Sequence, residues 1–216
     1  MSSTRAALLQ LPGDPFVLDY WVRNCERVWR DSVDDVYVFV NGQTNPDFVD
    51  VLREQVARID GRFTWQEGRL IHGQATRELV RNCAASHVVL LEDDAFVRDA
   101  RTFKDAFGFL EAGVCDVVGT PRGGMGPEVE VYARQVFEGE NLTSPEGNTG
   151  PGIWPCFVFA RTEDLRATSM RFESWSWNPG ETIPGIGYVV PPEGAHTDSF
   201  TTTAFELRGP KELGGL

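Results

Sequence analysis

The chain has 216 residues, 41% hydrophobic and 11% aromatic, enough to bury a sizeable core and too apolar for a disordered chain. Its 32 acidic residues against 20 basic ones give a formal net charge of −12, which disfavours a dedicated nucleic-acid-binding face without excluding a local patch. Four dispersed cysteines, Cys25, Cys83, Cys115 and Cys156, form no C-x-x-C pair, which argues against a zinc ribbon and a disulfide scaffold.

The first hundred residues alternate between strand and helix. Residues 6–11 read as a short buried strand. Asp14-Pro15 then supplies an N-cap and a proline at the first helical position, and Leu18, Trp21, Val22, Cys25, Val28 and Trp29 follow at helical spacing. Residues 36–40 (VYVFV) form a second apolar strand closed by Asn41-Gly42. Asn45-Pro46 opens a second helix, with Phe48, Val51, Leu52 and Val56 expected on one face. Residues 62–65 make a weaker third strand, residues 74–85 a third helix, and residues 87–91 (HVVLL) a fourth strand cut off by Glu92-Asp93-Asp94. Strands apolar throughout, with helices between them, predict a mostly parallel sheet covered on both faces: a three-layer α/β/α, Rossmann-like architecture. Ligands of such sheets bind beyond the carboxyl ends of the strands, where Pro12, Asn41 and the acidic triplet would lie.

Past residue 97 the pattern changes. Phe103, Ala106, Phe107 and Leu110 predict one more amphipathic helix, and residues 115–119 a short strand. A Gly- and Pro-rich stretch, residues 120–152, is interrupted by a helical pattern near residues 129–137. Residues 153–160 (IWPCFVFA) and 187–190 read as strands, Thr162 opens a short helix, and Asp198 is placed to cap a last helix running through Leu207. A single domain of residues 1–216 is expected, its regular half at residues 1–97 and its irregular half at residues 98–216. No run approaches the roughly 18 apolar residues of a membrane span, and the N-terminus lacks the layout of a secretory leader, so a cytoplasmic location is expected.

The acidic triplet carries the chemistry. Carboxylates crowded at the end of a core strand repel one another and lose solvation, a conflict that a divalent cation resolves. An extended backbone would aim Glu92 and Asp94 to one side and Asp93 to the other. Two oxygen ligands on one side suit Mg²⁺ or Mn²⁺, which keep positions open for phosphate oxygens and water. The competing reading is a solvated strand end, with Asp93 or Asp94 capping the next helix.

The stretch LIHGQATRELVRNCAASHVVLLEDDAFV, from Leu70 to Val97, resembles the family 2 glycosyltransferases, in which a glycine and an arginine on a helix precede a strand ending in a D-x-D-type motif. VFVNGQTNPDFVDVL resembles that family's second strand, with Asn41 where an aspartate normally contacts the nucleotide base. Leu11-Pro12-Gly13-Asp14 is a loose match to the turn after the first strand. The resemblance runs through residues 5–120 and is fainter over residues 150–207. It implies the GT-A fold, a nucleotide-diphosphate sugar donor (UDP-type first), Mn²⁺ or Mg²⁺, and transfer to a hydroxyl acceptor, carbohydrate or other, with inversion. By position it puts Asp94 on the metal, Glu92 or Asp93 near the donor ribose, and Arg77, Asn41 and Pro12 beside the nucleotide. It also makes His196 a further metal contact and Asp198 the general base, with Thr197 where the family carries a glutamate.

Several assignments stay open. Glu181 and Glu193 compete with Asp198 as base. Trp154, Trp175 and Trp177 offer faces on which a sugar can stack, and Arg122 with Gly123-Gly124 offers a lid over a diphosphate. Two other functions compete, a non-catalytic GT-A-like carbohydrate-binding module and a sugar nucleotidyltransferase. The latter's glycine-rich basic loop after the first strand is absent here. A nicotinamide-binding enzyme would need G-x-G-x-x-G where this chain has Leu-Pro-Gly-Asp-Pro.

Overall fold

The structure is a computed structural model that describes residues 4–121, 127–136 and 153–208. Its centre is a six-stranded sheet in the order β3-β2-β1-β4-β6-β5. The strands are β1 (Arg5–Leu11), β2 (Asp35–Asn41), β3 (Arg62–Gln66), β4 (His87–Glu92), β5 (Val117–Pro121) and β6 (Ile153–Arg161). The first four are mutually parallel, and β6 enters antiparallel between β4 and β5. The halves expected from the sequence therefore share one sheet.

Period-two alternation sends each strand's side chains into one of two cores. On one face Leu9, Val38, Val40, Val89, Leu91 and Phe159 pack against α1 (Pro15–Asn24), α2 (Pro46–Ala57) and α4 (Arg101–Glu111). Trp29 stacks on Phe103 at 5.0 Å, and Phe107 meets Phe159 edge-on at 5.0 Å, arrangements that aromatic quadrupoles favour. On the other face Leu8, Tyr37, Phe39, Val88, Leu90 and Val158 meet α3 (His72–Asn82), α6 (Thr162–Ala167) and α7 (Thr201–Arg208). A third, smaller cluster joins α5 (Pro127–Val136) to β7 (Trp175–Trp177), to the β8 (Thr182–Ile183) and β9 (Tyr188–Val189) hairpin, and to Phe205 of α7. A last strand, β10 (Ala195–Thr197), pairs antiparallel with β7.

Several expectations shift. The first helix continues only as a five-residue π-helical turn, Cys25–Trp29, in which Asn24 accepts from the Trp29 indole and bonds the backbone of Val97. In α2 the buried face is Val49, Leu52 and Val56. Phe48 and Val51 are exposed, because the helix turns its seam one residue from where their spacing put it. The last helix begins at Thr201, not at Ser199, because Phe200 takes a left-handed backbone conformation (φ 64°). Trp154 and Cys156 lie in β6, but their side chains fall outside the described ones, as does the whole of Arg122 with its glycines.

A strap over the start of α3 ties the late segment to the early one. Residues 170–174 cross Gly73, where a Cβ would fall 2.5 Å from the Glu173 nitrogen and strike its carboxylate. Arg77 donates to the Met170 carbonyl (3.1 Å) and pairs with Glu173 (3.0 Å). Beyond it Phe172 stacks on Phe200 at 5.6 Å. Gly73→Ala is expected to cost about 1–3 kcal/mol in urea denaturation, the usual toll of overpacking, with amide-exchange protection lost first in residues 170–175. An unchanged midpoint and exchange pattern would show that the strap is not seated as described.

Candidate functional site

Three neighbouring strands end in the same way on their α3 face. Apolar Tyr37 and Phe39 give way to Asn41, Ala6 and Leu8 to Gln10, and Val88 and Leu90 to Glu92. A row of two amides and one carboxyl thus replaces the hydrocarbon as the sheet reaches its carboxyl edge. This row floors a groove of about 590 Å³ that is also lined by Pro12, Arg69, Leu70, Ile71, His72, Asp93 and Asp94. The groove lies where doubly wound sheets take ligands, with the N-terminus of α3 at one wall.

Each lining residue is placed by an identifiable cause. Asn41, 3% exposed, accepts from the Leu70 nitrogen (2.8 Å) and donates to the Leu70 carbonyl (2.9 Å). Its amide is engaged in shaping the wall through one N–H and one lone pair. Gly42 (φ 89°) closes against Arg69, where a Cβ would meet the Arg69 Cβ at 2.9 Å, so the arginine sits at the groove rim. Asp14 caps α1 by accepting from the Phe16 nitrogen at 2.8 Å, which fixes the turn that carries Pro12. Gln10 is 9% exposed, and its Oε1 has no hydrogen-bond partner among the described residues, a buried acceptor at the groove floor.

The acidic segment is not extended throughout. β4 stops at Glu92, and residues 93–94 turn, with the Ala95 nitrogen bonded to the Glu92 carbonyl at 3.1 Å. The expected alternation therefore fails after Glu92, and all three acids line the one groove. Burial, then the charges of Asp94, Asp93 and Asp198, push the Glu92 carboxyl up to about 7. Asp93 is raised as well, chiefly by burial. His72 Nε2 lies 3.3 Å from Glu92 Oε1, and burial lowers the imidazole, so the two meet across a proton rather than as a full ion pair.

Of the other sequence candidates, Asp198 reaches this site electrostatically, since its charge is felt at Glu92. Its Oδ1 accepts from Ser174 Oγ (2.9 Å) and the Ser199 nitrogen (2.7 Å), and its carbonyl from the Thr201 nitrogen. Arg77 bonds the strap from α3 and does not line the groove. His196 is exposed on β10 opposite Ser176, also outside the lining. Sequence reasoning missed Gln10, Arg69 and His72. Gln10 carried a usable signal, a polar residue at a position where a doubly buried strand should be apolar.

Among the described residues no three His, Cys, Asp or Glu side chains gather into a closed metal cage. An exposed Asp94 beside two partly buried acids instead suits a cation that completes its shell with ligand oxygens and water. The unpartnered Gln10 Oε1 and the raised Glu92 carboxyl are what such a floor shows when written in protein atoms alone.

No protein-family model matches the chain, and no curated protein matches it in sequence. Solved structures do match. A mannosyltransferase from Pyrobaculum calidifontis in complex with GDP-Man and Mn²⁺ superposes with a TM-score of 0.55 at 16% identity, over 77% of this chain and 46% of that one. Glucosyl-3-phosphoglycerate synthase from Mycobacterium tuberculosis, in complex with Mn²⁺, UDP-glucose and phosphoglyceric acid, gives 0.51 at 14%, over 83% and 61%. TarS of S. aureus, residues 1–349, gives 0.51 at 13%, over 76% and 48%. This chain thus spans about half to three fifths of these structures, and its fold is the GT-A fold.

Glu92 holds its proton more tightly in the folded chain than in the unfolded one, where the ordinary value is 4.5. Its contribution to stability is complete below that value and lost as pH rises through about 7. His72, lowered by burial, acts in the opposite sense, its contribution being lost as pH falls. Subtracting the melting profile of Glu92→Gln from that of the native chain between about pH 4.5 and 8 is therefore expected to leave a difference that declines with pH. A flat difference would mean that Glu92 is solvated.

Proposed function

We propose that this chain is a metal-assisted glycosyltransferase that moves a sugar from a nucleotide-diphosphate donor to a hydroxyl acceptor. The observation that carries the reading is the convergence of Gln10, Asn41, Arg69, His72 and the Glu92–Asp94 turn on one groove at the carboxyl edge of a GT-A sheet, with the charge of Asp198 reaching into it. The neighbouring structures crystallised with nucleotides and Mn²⁺ support it.

In this reading the nucleotide lies over the ends of β1 and β2, between Pro12 and the Leu70–Ile71 wall that Asn41 pins. Gln10 offers its open oxygen to a donor hydroxyl or to bound water. Arg69, which has no carboxylate partner among the described residues, reaches the diphosphate, and its planar fork suits phosphate oxygens. Asp94 at the rim holds Mn²⁺ or Mg²⁺, with Asp93 or Glu92 beside it. The bound cation would offset the negative charge that develops on the departing diphosphate. Asp198 takes the proton of the acceptor hydroxyl as that oxygen attacks the anomeric carbon in line; the bond from that carbon to the diphosphate oxygen breaks, the nucleoside diphosphate leaves, and the sugar is bonded to the acceptor with inverted configuration. The Ser174 hydroxyl and Ser199 amide that bond Asp198 hold its carboxylate in one orientation. His196, two residues away, completes the metal shell only if its loop closes over bound donor.

Thermal melting with UDP, GDP, CDP and dTDP, each with and without Mn²⁺, tests the donor site. One diphosphate, UDP first, is expected to stabilise the chain only with metal, by about 2.7 kcal/mol at a ligand concentration 100-fold above its Kd. Silence from all four would sink the donor reading. Asp94→Ala is expected to abolish the metal-dependent part. Asp198→Asn is expected to keep donor affinity and to lose about 10²–10⁴ in turnover, the usual range for a removed general base. Undiminished turnover in that variant would remove Asp198 from the role and leave Glu181 and Glu193 to be tested.

A further inference from the structure

The strap that crosses α3 ends in a cation without an acid. The Arg171 guanidinium carbon lies 4.5 Å from the ring centre of Trp175 and 4.7 Å from that of Trp177. Nη1 is buried and has no hydrogen-bond partner among the described residues, so the stacking on the indoles is what offsets its lost hydration. Arg171 accepts a bond from Thr203 only through its carbonyl. Among the described residues no carboxylate pairs with its guanidinium, although acids outnumber bases by 32 to 20 in the chain. Arg77, on the helix that the strap crosses, shows the ordinary arrangement with Glu173. A half-buried arginine loses hydration, and stacking offsets only part of that loss.

The position of this pair gives it a use. In the β7–β10 pairing Trp175 stands opposite Thr197, and the next residues outward, Ser174 and Asp198, are bonded at 2.9 Å. The two tryptophans divide the work. Trp177 is 5% exposed and donates from its indole nitrogen to Thr197 Oγ1 (3.0 Å), so it is wall. Trp175 is 37% exposed and one residue from the Asp198 contact, so it is a shelf open to solvent. A guanidinium keeps its N–H groups in its own plane, so one stacked beside that shelf can donate to a phosphate or carboxylate resting on it.

We infer that Arg171 and Trp175 form the acceptor subsite, and that the acceptor is a hydroxyl compound bearing an anionic group, phosphate or carboxylate, which Arg171 binds while the body of the molecule lies on Trp175. This rests on the reading of Asp198 as base. It sets the acceptor's reactive hydroxyl toward Asp198 and its charge toward Arg171, and it selects against neutral sugars, which would leave the cation unmatched.

The probes are glycerol, glycerate, glycerol 1-phosphate and inorganic phosphate, titrated into the native chain labelled with 5-fluorotryptophan. The Trp175 fluorine line is assigned by its absence from Trp175→Phe. The three anions are expected to shift that line and leave the exposed Trp65 line in place, whereas glycerol moves neither. The order of glycerate against the two phosphates tells carboxylate from phosphate recognition. Arg171→Gln is expected to weaken anion binding at least tenfold, and Arg171→Lys to weaken it less. Both variants are expected to keep the native affinity for UDP with Mn²⁺, which also shows that they are folded. Equal shifts by glycerol and its phosphate, or anion binding untouched in Arg171→Gln, would overturn the inference. A chain that binds the anions and no nucleotide refutes the donor reading and not this subsite. One that binds nucleotide and none of the anions refutes this subsite alone.

Discussion

A carboxyl group at the end of a buried strand, with two more acids in the turn that follows, is the constraint around which the molecule is arranged. Glu92 cannot be solvated like a surface acid, because β1 and β6 flank its strand and the N-terminus of α3 lies close to it. Nor, among the described residues, does any arginine neutralise it. The fold accommodates it with a neighbouring imidazole, a row of amides and a carboxyl that keeps its proton to about pH 7. Such an arrangement is unstable against the arrival of positive charge, and that instability is a binding free energy held in reserve.

The second feature is mechanical. Arg77 and Gly73 belong to the helix that begins the groove wall, while Glu173 and Phe172 belong to the strap leading to Trp175. One clasp therefore holds the segment leading to Trp175 and Asp198 against the helix that begins at the acidic groove. The left-handed Phe200, stacked on Phe172, holds the same segment.

The fold was legible wherever strand and helix patterns ran without interruption. Residues 36–40 and 88–91 are apolar throughout because both faces of those strands are covered. The antiparallel entry of β6 was not legible, since strand direction leaves no mark on an apolar run. Within the site, the acidic triplet announced itself by charge, but its turn did not, because alternation was carried one residue too far. Arg77 was read as a ligand group because its position on α3 was known and the strap was not. Gln10 was passed over for the opposite reason, as one polar letter inside a strand that was otherwise easy to assign.

The place of β6 also governs the order in which the molecule can be made. Phe157 and Phe159 complete the core under Phe103 and Phe107, and β6 covers the edge of the strand that carries Glu92. On the ribosome, the amino-terminal strands and helices emerge long before that cover is translated, leaving β4 with one unsatisfied backbone edge and half of an aromatic cluster exposed. The nascent chain must wait in this state until β6 is synthesised, so the acidic turn is among the last parts of the sheet to acquire its final surroundings. Truncated or slowly translated forms would meet their first hazard at that edge, through strand pairing between chains rather than through loss of the ligand groove.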